Sequence, residues 1–287
     1  HYSVFDRRRK TKAELFREEN TLLEAEDSEL HAKYLEIQGA ITVELDGKTL
    51  TPQQCGALLE KPDRSLREKS FRKLVGRRLE DRERIEEIFD EMLQLRHRIA
   101  VNAGFDNYRD YRFRALCRFD YEPAQCYEFH DAVEEIVVPA VRDLTARRIK
   151  KLGIDSLRPW DRVVSPFGRN PAAPFENEKE YIEKTRALFQ AVDPVFEEEF
   201  DILQRNGLLD LMSRKGKAPG GYMYPIEDMR LPFIFFNAVG THSDIQTLLH
   251  EGGHAFHTIA TRDESLGDYR AAPMEFCEVA SMAMELF

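Results

Sequence analysis

The 287-residue chain has no long hydrophobic run. Its longest apolar stretches, such as LPFIFFNAV from Leu231, reach about half of what a bilayer crossing requires, which excludes a spanning helix and argues against a membrane partner. Basic residues are not in excess either. Lysine and arginine number 42 against 52 aspartates and glutamates, a formal net charge of -10, whereas nucleic-acid binding is dominated by Lys and Arg contacts to phosphate. Basic clusters such as DRRRK from Asp6 are followed closely by acidic residues and read as solvated helix faces. Cysteine is scarce. Cys55, Cys117, Cys126 and Cys277 form no C-x-x-C pair and are too few for a disulfide framework, so a reducing, cytoplasmic setting is the default expectation. An initiator Met and a secretory signal are both missing at the start, and the final SMAMELF falls within what reads as an amphipathic helix. The sequence therefore reads as an internal fragment.

What is present is the mixture of a soluble globular protein, 42% hydrophobic and 33% charged, over a length that allows one large domain or two ordinary ones. Between Pro62 and Gly104, apolar residues at Phe71, Leu74, Val75, Ile85, Ile88, Phe89, Met92 and Ile99 follow the i, i+3, i+4 rule. They predict one long helix or two, closed by Gly104. Upstream, ITVELDGKTLTP alternates around Asp46-Gly47 and predicts a small hairpin or an extended connection. A domain boundary is expected near Lys61, with 1–62 ending an N-terminal helical domain and 63–287 beginning the next. A further helix should run from Pro123 to about Lys151, kinked at Pro139 and stopped by Gly153, followed by helices near 177–192 and 194–205. From Gly207 to Thr241 the chain turns to Gly, Pro, aromatic and β-branched residues, which predict two or three short strands. Helical spacing returns in THSDIQTLLHEGGHAFHTIATR, with Ser243 or Asp244 as its cap.

This last helix carries HEGGHAFH at 250–257. Residues four apart share a helix face, so His250 and His254 can offer imidazole nitrogens to one cation about 2.0–2.1 Å away, and two neutral imidazoles suit zinc. Glu251 lies about 100° round the helix from His250. That offset keeps it out of the ligand set yet near the open coordination position, where it can accept a proton from zinc-bound water and pass it to the leaving amine. A chance motif on a polar helix face is the bland alternative. Gly252 and Gly253 weigh against it, because each costs about 1 kcal/mol relative to Ala in mid-helix and a pair needs a reason, such as close backbone packing or a ligand's approach.

A catalytic zinc normally has three protein ligands. His257 stands about 10.5 Å along the axis from His250 and cannot reach the same ion if the helix continues. The metzincin pattern fails too, since His257 and Ala260 occupy the places of its Gly and third His. Downstream acids are better candidates: Glu264, Glu275, Glu278 and Glu285. Pro273 opens a second amphipathic helix, PMEFCEVASMAMELF, on which Glu275, Glu278 and Glu285 share a face. Spacing alone does not choose between Glu275 and Glu278.

TLLHEGGHAFHT followed by EFCEVASMAMELF, and preceded by GGY and LPFIFFNAVGTHSDIQTL, resembles the zinc oligopeptidases of the oligoendopeptidase F and thimet oligopeptidase type. The resemblance implies a mainly α fold, a helical clam or bowl of the zincin kind with a small β-sheet beside the zinc helix. It implies one Zn2+ per chain held by His250, His254 and Glu278, the glutamate being selected by its Phe-x-Glu-x-x-Ser setting (Phe276, Glu278, Ser281). Glu251 becomes the general base, and Glu275 and Glu285 become candidates for orienting a ligand histidine through its other nitrogen. Gly220, Gly221, Tyr222, Asn237 and Ala238 become candidates for contact with a peptide that adds a strand to the sheet. Members of this family carry further C-terminal helices with His and Tyr residues that stabilise the oxyanion. Those would lie beyond Phe287, so residues 1–287 alone are expected to bind zinc weakly or misfold and to turn over little.

The expected function is a zinc-dependent metalloendopeptidase that cuts internal bonds of short unstructured peptides, with zinc-bound water as nucleophile and no covalent intermediate. A thermolysin-like site would need a glutamate where Met274 stands, and a related aminopeptidase would need a Gly-x-Met-Glu-Asn segment that does not occur. A metallocarboxypeptidase of similar helical fold, and a non-catalytic helical peptide-binding protein, are the alternatives. Peptide specificity and oligomeric state are not legible in the residues.

Overall fold

The computed structural model describes residues 2–286; His1 and Phe287, at the ends of the expected ranges, lie outside the described residues. Helices α1 (Ser3–Leu15) and α2 (Asn20–Ala40) lead to a hairpin of β1 (Val43–Leu45) and β2 (Lys48–Leu50). Then come α3 (Pro52–Leu58), α4 (Arg64–Leu79), α5 (Arg82–Asn102), α6 (Tyr108–Ala115), α7 (Pro123–Ala132) and α8 (Val138–Leu152). Helices α9 (Glu178–Val192) and α10 (Pro194–Arg205) precede strands β3 (Leu209–Met212), β4 (Tyr222–Ile226) and β5 (Leu231–Ala238). The chain finishes with α11 (His242–Thr261), the short α12 (Gly267–Arg270) and α13 (Met274–Met284). The fold is mainly α with two small sheets, and no helix among the described residues is long and apolar enough to cross a membrane. Two compact units form, His1–Ile37 with Val75–Arg169 and Gln38–Leu74 with Asn170–Phe287. The boundary expected near Lys61 falls inside the first segment of the second unit.

In the first unit, Leu23 and Leu30 of α2 pack on Met92, Leu95 and Ile99 of α5 and on Tyr111 of α6. The Asn20 amide ties the start of α2 to the end of α5, donating to the Ile99 carbonyl at 3.0 Å and accepting from Asn102 at 2.7 Å. The pattern from 62 to 104 resolves into two helices. They part at Asp81, whose carboxylate takes Arg77 Nη1 at 2.6 Å and Arg84 Nη1 at 3.1 Å and is held below the usual carboxylate range chiefly by the Arg77 bond. The kink expected at Pro139 is a π-helical turn, Val133–Val137, joining α7 to α8. Proline has no N–H for the regular ladder, and widening the preceding turn absorbs that loss. Gly153 stops α8 in a left-handed conformation (φ 64°) that admits the capping bond to the Ile149 carbonyl.

In the second unit the turn at Asp46 and Gly47, both at positive φ, closes the β1–β2 hairpin as the sequence predicts. The larger sheet runs β3-β5-β4, with β5 parallel to β3 and antiparallel to β4, so β4 is an outer strand. Pro225 is tolerated there because an outer strand can lose a donor. Lys217, with its side chain buried, clamps the sheet. Its ammonium donates to the carbonyls of Asp210 (2.9 Å), Met212 (3.1 Å) and Phe236, and to Asp210 Oδ1 at 2.9 Å. Arg214 and Lys217 together hold the Asp210 carboxyl at about 2.

The core of this unit joins α9 and α10 (Phe189, Phe200, Leu203) to β5 (Ile234) and to one face of α11 (Leu248, Ala255, Phe256). The paired glycines of α11 are explained by what surrounds them. A Cβ at Gly252 would lie 2.5 Å from Phe189 Cζ, and one at Gly253 would lie 2.6 Å from Ser281 Cα and 2.8 Å from the Ala280 carbonyl oxygen. The first clash is with a ring, the second with the backbone of α13. Gly253→Ala is therefore expected to lower stability by about 1–3 kcal/mol through overpacking. Gly76→Ala, in open space on α4, should instead raise it by about 0.5–1 kcal/mol. Urea denaturation of both variants checks the pair; equal effects would remove the packing explanation.

Candidate metal centre

The helix that carries the histidines is fixed first at its N-terminus. Its cap is Thr241, two or three residues earlier than the Ser243 or Asp244 expected from sequence, and Asp244 serves as the third helical residue of a capping box. Thr241 Oγ1 accepts from the Asp244 amide at 3.3 Å. In return Asp244 Oδ2 accepts the amides of Val239 (2.9 Å), Gly240 (2.8 Å) and Thr241 (2.7 Å). One carboxylate thus joins the end of β5 to the start of α11, and it also favours the positive end of the helix dipole. The Tyr181 hydroxyl of α9 donates to the Asp244 carbonyl.

Across the Gly253 contact, α13 brings its acids to the imidazoles. His250, His254 and Glu278 offer one donor atom each, all within 4.8 Å of one another. His250 Nε2 stands 3.4 Å from Glu278 Oε2, and His254 Nε2 stands 3.7 Å from Glu278 Oε1. Donors about 2.0–2.2 Å from a tetrahedral zinc stand about 3.3–3.6 Å apart, so the two carboxylate–imidazole distances come close to that spacing, and the two-imidazole, one-carboxylate chemistry fits that ion. Buried Ser281 lies within hydrogen-bonding reach of Glu278, its Oγ 3.0 Å from the carbonyl and 3.1 Å from Oε2, which orients the carboxylate. Glu285, at the end of α13, reaches back to His250 Nδ1 at 2.7 Å. A carboxylate there selects the tautomer that leaves Nε2 free as a donor.

Glu275, in the exposed first turn of α13, is outside the group of three, and so is Glu264. His257 is carried one turn past the donors because α11 continues to Thr261; it lines an apolar cavity with His254 instead. Glu251 is buried. Burial pushes its carboxyl above the usual carboxylate range, opposed by the neighbouring His250 and by the Met223 backbone amide of β4. Burial also holds the His254 imidazole below its ordinary value, which favours the neutral, metal-binding form. On the His250 side a cavity of about 340 Å3 is lined by Ser243, Gln246, Thr247, Glu251 and Glu285, all polar.

The five sheet residues proposed for peptide contact divide. Gly220, Gly221 and Tyr222 are exposed, and the Tyr222 ring stacks on Phe235 at 4.9 Å. Asn237 and Ala238 are buried, and both Asn237 amide protons are spent on the carbonyls of Ala218 (2.9 Å) and Gly220 (2.8 Å). Both belong to β5, and Asn237 lines a cavity together with Gly220 and Gly221. Sequence reasoning offered Asp244 as the cap itself rather than as the acid of a capping box, and passed over Lys217. The T-x-x-D spacing at Thr241 was a usable signal for the first, whereas nothing local marks the second as buried.

Known proteins resemble this chain over most of its length. The sequence pattern of Peptidase family M3 matches residues 57–287. Oligopeptidase A of Escherichia coli is 25% identical over 252 residues, covering 69% of this chain and 37% of its own. The chromosomal oligoendopeptidase F of Lactococcus lactis subsp. cremoris is 24% identical over 241 residues, covering 82% and 38%. Among solved structures, PZ peptidase A with an inhibitor superposes with a TM-score of 0.94 at 28% identity, over 98% of this chain and 50% of that one. The chain spans less than half the length of the curated relatives and half of the solved one.

The Glu251 shift has a thermodynamic sign. A carboxyl whose folded pKa is raised contributes stability that is complete below its ordinary value of 4.5 and lost as pH rises through the folded value. In the metal-free protein, Glu251→Gln should therefore be more stable than the parent at pH 7, with the difference shrinking as pH falls towards 4.5. Thermal melts across that range check it; a variant less stable at pH 7 would contradict the burial argument.

Proposed function

The chain belongs to Peptidase family M3, and we propose that the protein carrying it is a zinc-dependent metalloendopeptidase that cuts internal bonds of short, unstructured peptides. The observation that carries this reading is the convergence of His250, His254 and Glu278 from two helices, with Glu251 buried beside them. On this reading the three residues hold one Zn2+ per chain. Zinc bound there supplies a Lewis acid that polarises the scissile carbonyl and makes water a competent nucleophile near neutral pH.

The remaining chemistry belongs to the protein. Glu251, kept out of the donor set by its helical offset, accepts the proton of the attacking water on its carboxylate and delivers it to the leaving amide nitrogen. Burial raises its affinity for that proton, as a shuttling carboxylate requires. Glu285 positions His250 through Nδ1, and Ser281 positions Glu278. Gly220, Gly221 and Tyr222 lie on the outer-strand side of the sheet, where a peptide backbone can add as a further strand. The relatives' names, oligopeptidase A and oligoendopeptidase F, support short peptides as substrates and internal cleavage over carboxypeptidase action. Four free cysteines suit a reducing, cytoplasmic setting.

Two measurements on the full-length protein test the roles. Glu251→Gln should retain stoichiometric zinc and lose about 10²- to 10⁴-fold in turnover of end-blocked peptides. Undiminished turnover would remove the assigned base. Glu278→Ala should lose zinc outright in chelator competition, while Glu285→Gln should weaken zinc by about 10- to 100-fold. Unchanged zinc affinity in Glu278→Ala would exclude it as a ligand.

A further inference from the structure

A cavity of about 430 Å3 lies where the chain enters the outer strand β4, lined by Gly220 and Gly221, by Glu60 just after α3, by Asn237 of β5, and by Asp244 and Thr247 of α11. Thr247 also lines the polar cavity beside His250 and Glu251, so the two spaces are neighbours along α11. Asp244 precedes Glu251 by seven residues, which is about 10.5 Å along a helix axis. An extended peptide covers that distance in three residues at about 3.3 Å each.

The charged residues that line this cavity are both acids, and among the described residues no Lys, Arg or His joins them. Asp244 is 5% exposed; its Oδ2 is spent on three amides, whereas its Oδ1 takes no hydrogen bond among the described residues. Glu60 is half-buried and has no hydrogen-bond or ion-pair partner among the described residues. Burial first, and then the Asp244 charge, push its carboxyl above the usual carboxylate range, against the opposing effect of Lys61 and His242. Two carboxylates that face one space without a counter-charge are costly, and a cation between them removes that cost. Ala57, Phe236 and Val239 add an apolar wall along which an aliphatic stem can lie.

We infer, resting on the peptidase reading, that this cavity is a cation subsite in which Glu60 and Asp244 receive an ammonium or guanidinium group of the peptide about three residues from the bond that is cut, and from which they repel a carboxylate. A Lys or Arg side chain carries that chemistry, and so does a free N-terminus. Peptides with blocked and unblocked ends separate the two sources. Asp244 also holds the start of α11, so Glu60 is the residue to vary.

The test uses the full-length, zinc-loaded protein and end-blocked dodecapeptides of Ala and Gln in which a single Lys occupies each position in turn, with the products read by mass spectrometry. Cleavage should fall about three residues from the Lys, always on the same side of it, and Glu60→Gln should lower kcat/KM for that cut about tenfold. A Lys-free peptide is run with its N-terminus blocked and free. A cut at a fixed distance from the free end alone, lost in Glu60→Gln, would identify the N-terminus as the source of the cation. Binding without turnover is measured on Glu251→Gln protein, where replacing one Gln of the peptide by Lys should tighten Kd about tenfold, an advantage that adding Glu60→Gln should abolish. Cut positions indifferent to both cations, or unchanged in Glu60→Gln, would overturn the subsite and leave the peptidase reading intact. Glu60-dependent binding of the cationic peptides without cleavage of any would instead refute the peptidase reading and leave the subsite standing, and the absence of both would overturn the two together.

Discussion

Helix α13 lies so close to α11 at Gly253 that the space of a methyl group is already filled by Ser281 Cα and the Ala280 carbonyl. Everything chemical in the second unit follows from that approach. It buries Ser281, whose hydroxyl steadies Glu278, and it sets Glu278 against the two imidazoles of α11. The same packing lets Glu285, seven residues on, reach the far nitrogen of His250.

A contact of this kind holds only if both partners are held elsewhere. Helix α11 is pinned at its start by Asp244, which ties three amides of the β5–α11 connection, and along its length by Phe189, which fills the space beside Gly252. The sheet beneath it is locked by Lys217, whose ammonium is satisfied by carbonyls from both β3 and β5. Against that rigid frame the buried carboxyl of Glu251 stands as a cost beside the donor set. In a protein selected only for stability that position would be apolar. Its retention beside three metal-compatible donors is the physical argument for chemistry at this place.

Much of this was legible in the residues. The helical periodicity, the hairpin at Asp46-Gly47 and the histidine pair depend on local rules, and the exclusion of His257 needed only the rise of a helix. The choice of Glu278 over Glu275 did not follow from spacing, because both lie on α13 and only the packing of that helix decides which one faces α11. The cap at Thr241 was misplaced for a similar reason: Ser243 and Asp244 are good capping residues by type, but Thr241 is the one in extended conformation with an acid three residues later. The π-helical turn before Pro139 and the burial of Asn237 and Ala238 are tertiary outcomes that composition does not encode. The paired glycines lay between these cases. Their cost in mid-helix announced a close neighbour, and the structure supplied two different ones, a phenyl ring and a backbone.

On the proposed reading, two imidazoles and one carboxylate, and no other side chains, hold a single zinc ion. X-ray absorption at the zinc edge of the metal-loaded protein tests it most directly. The account requires two imidazole nitrogens and light oxygen donors at about 2.0–2.2 Å, with no sulfur shell. A third imidazole, which would return His257 to the site, or a sulfur at about 2.3 Å, which would place Cys277 on the metal, would contradict it.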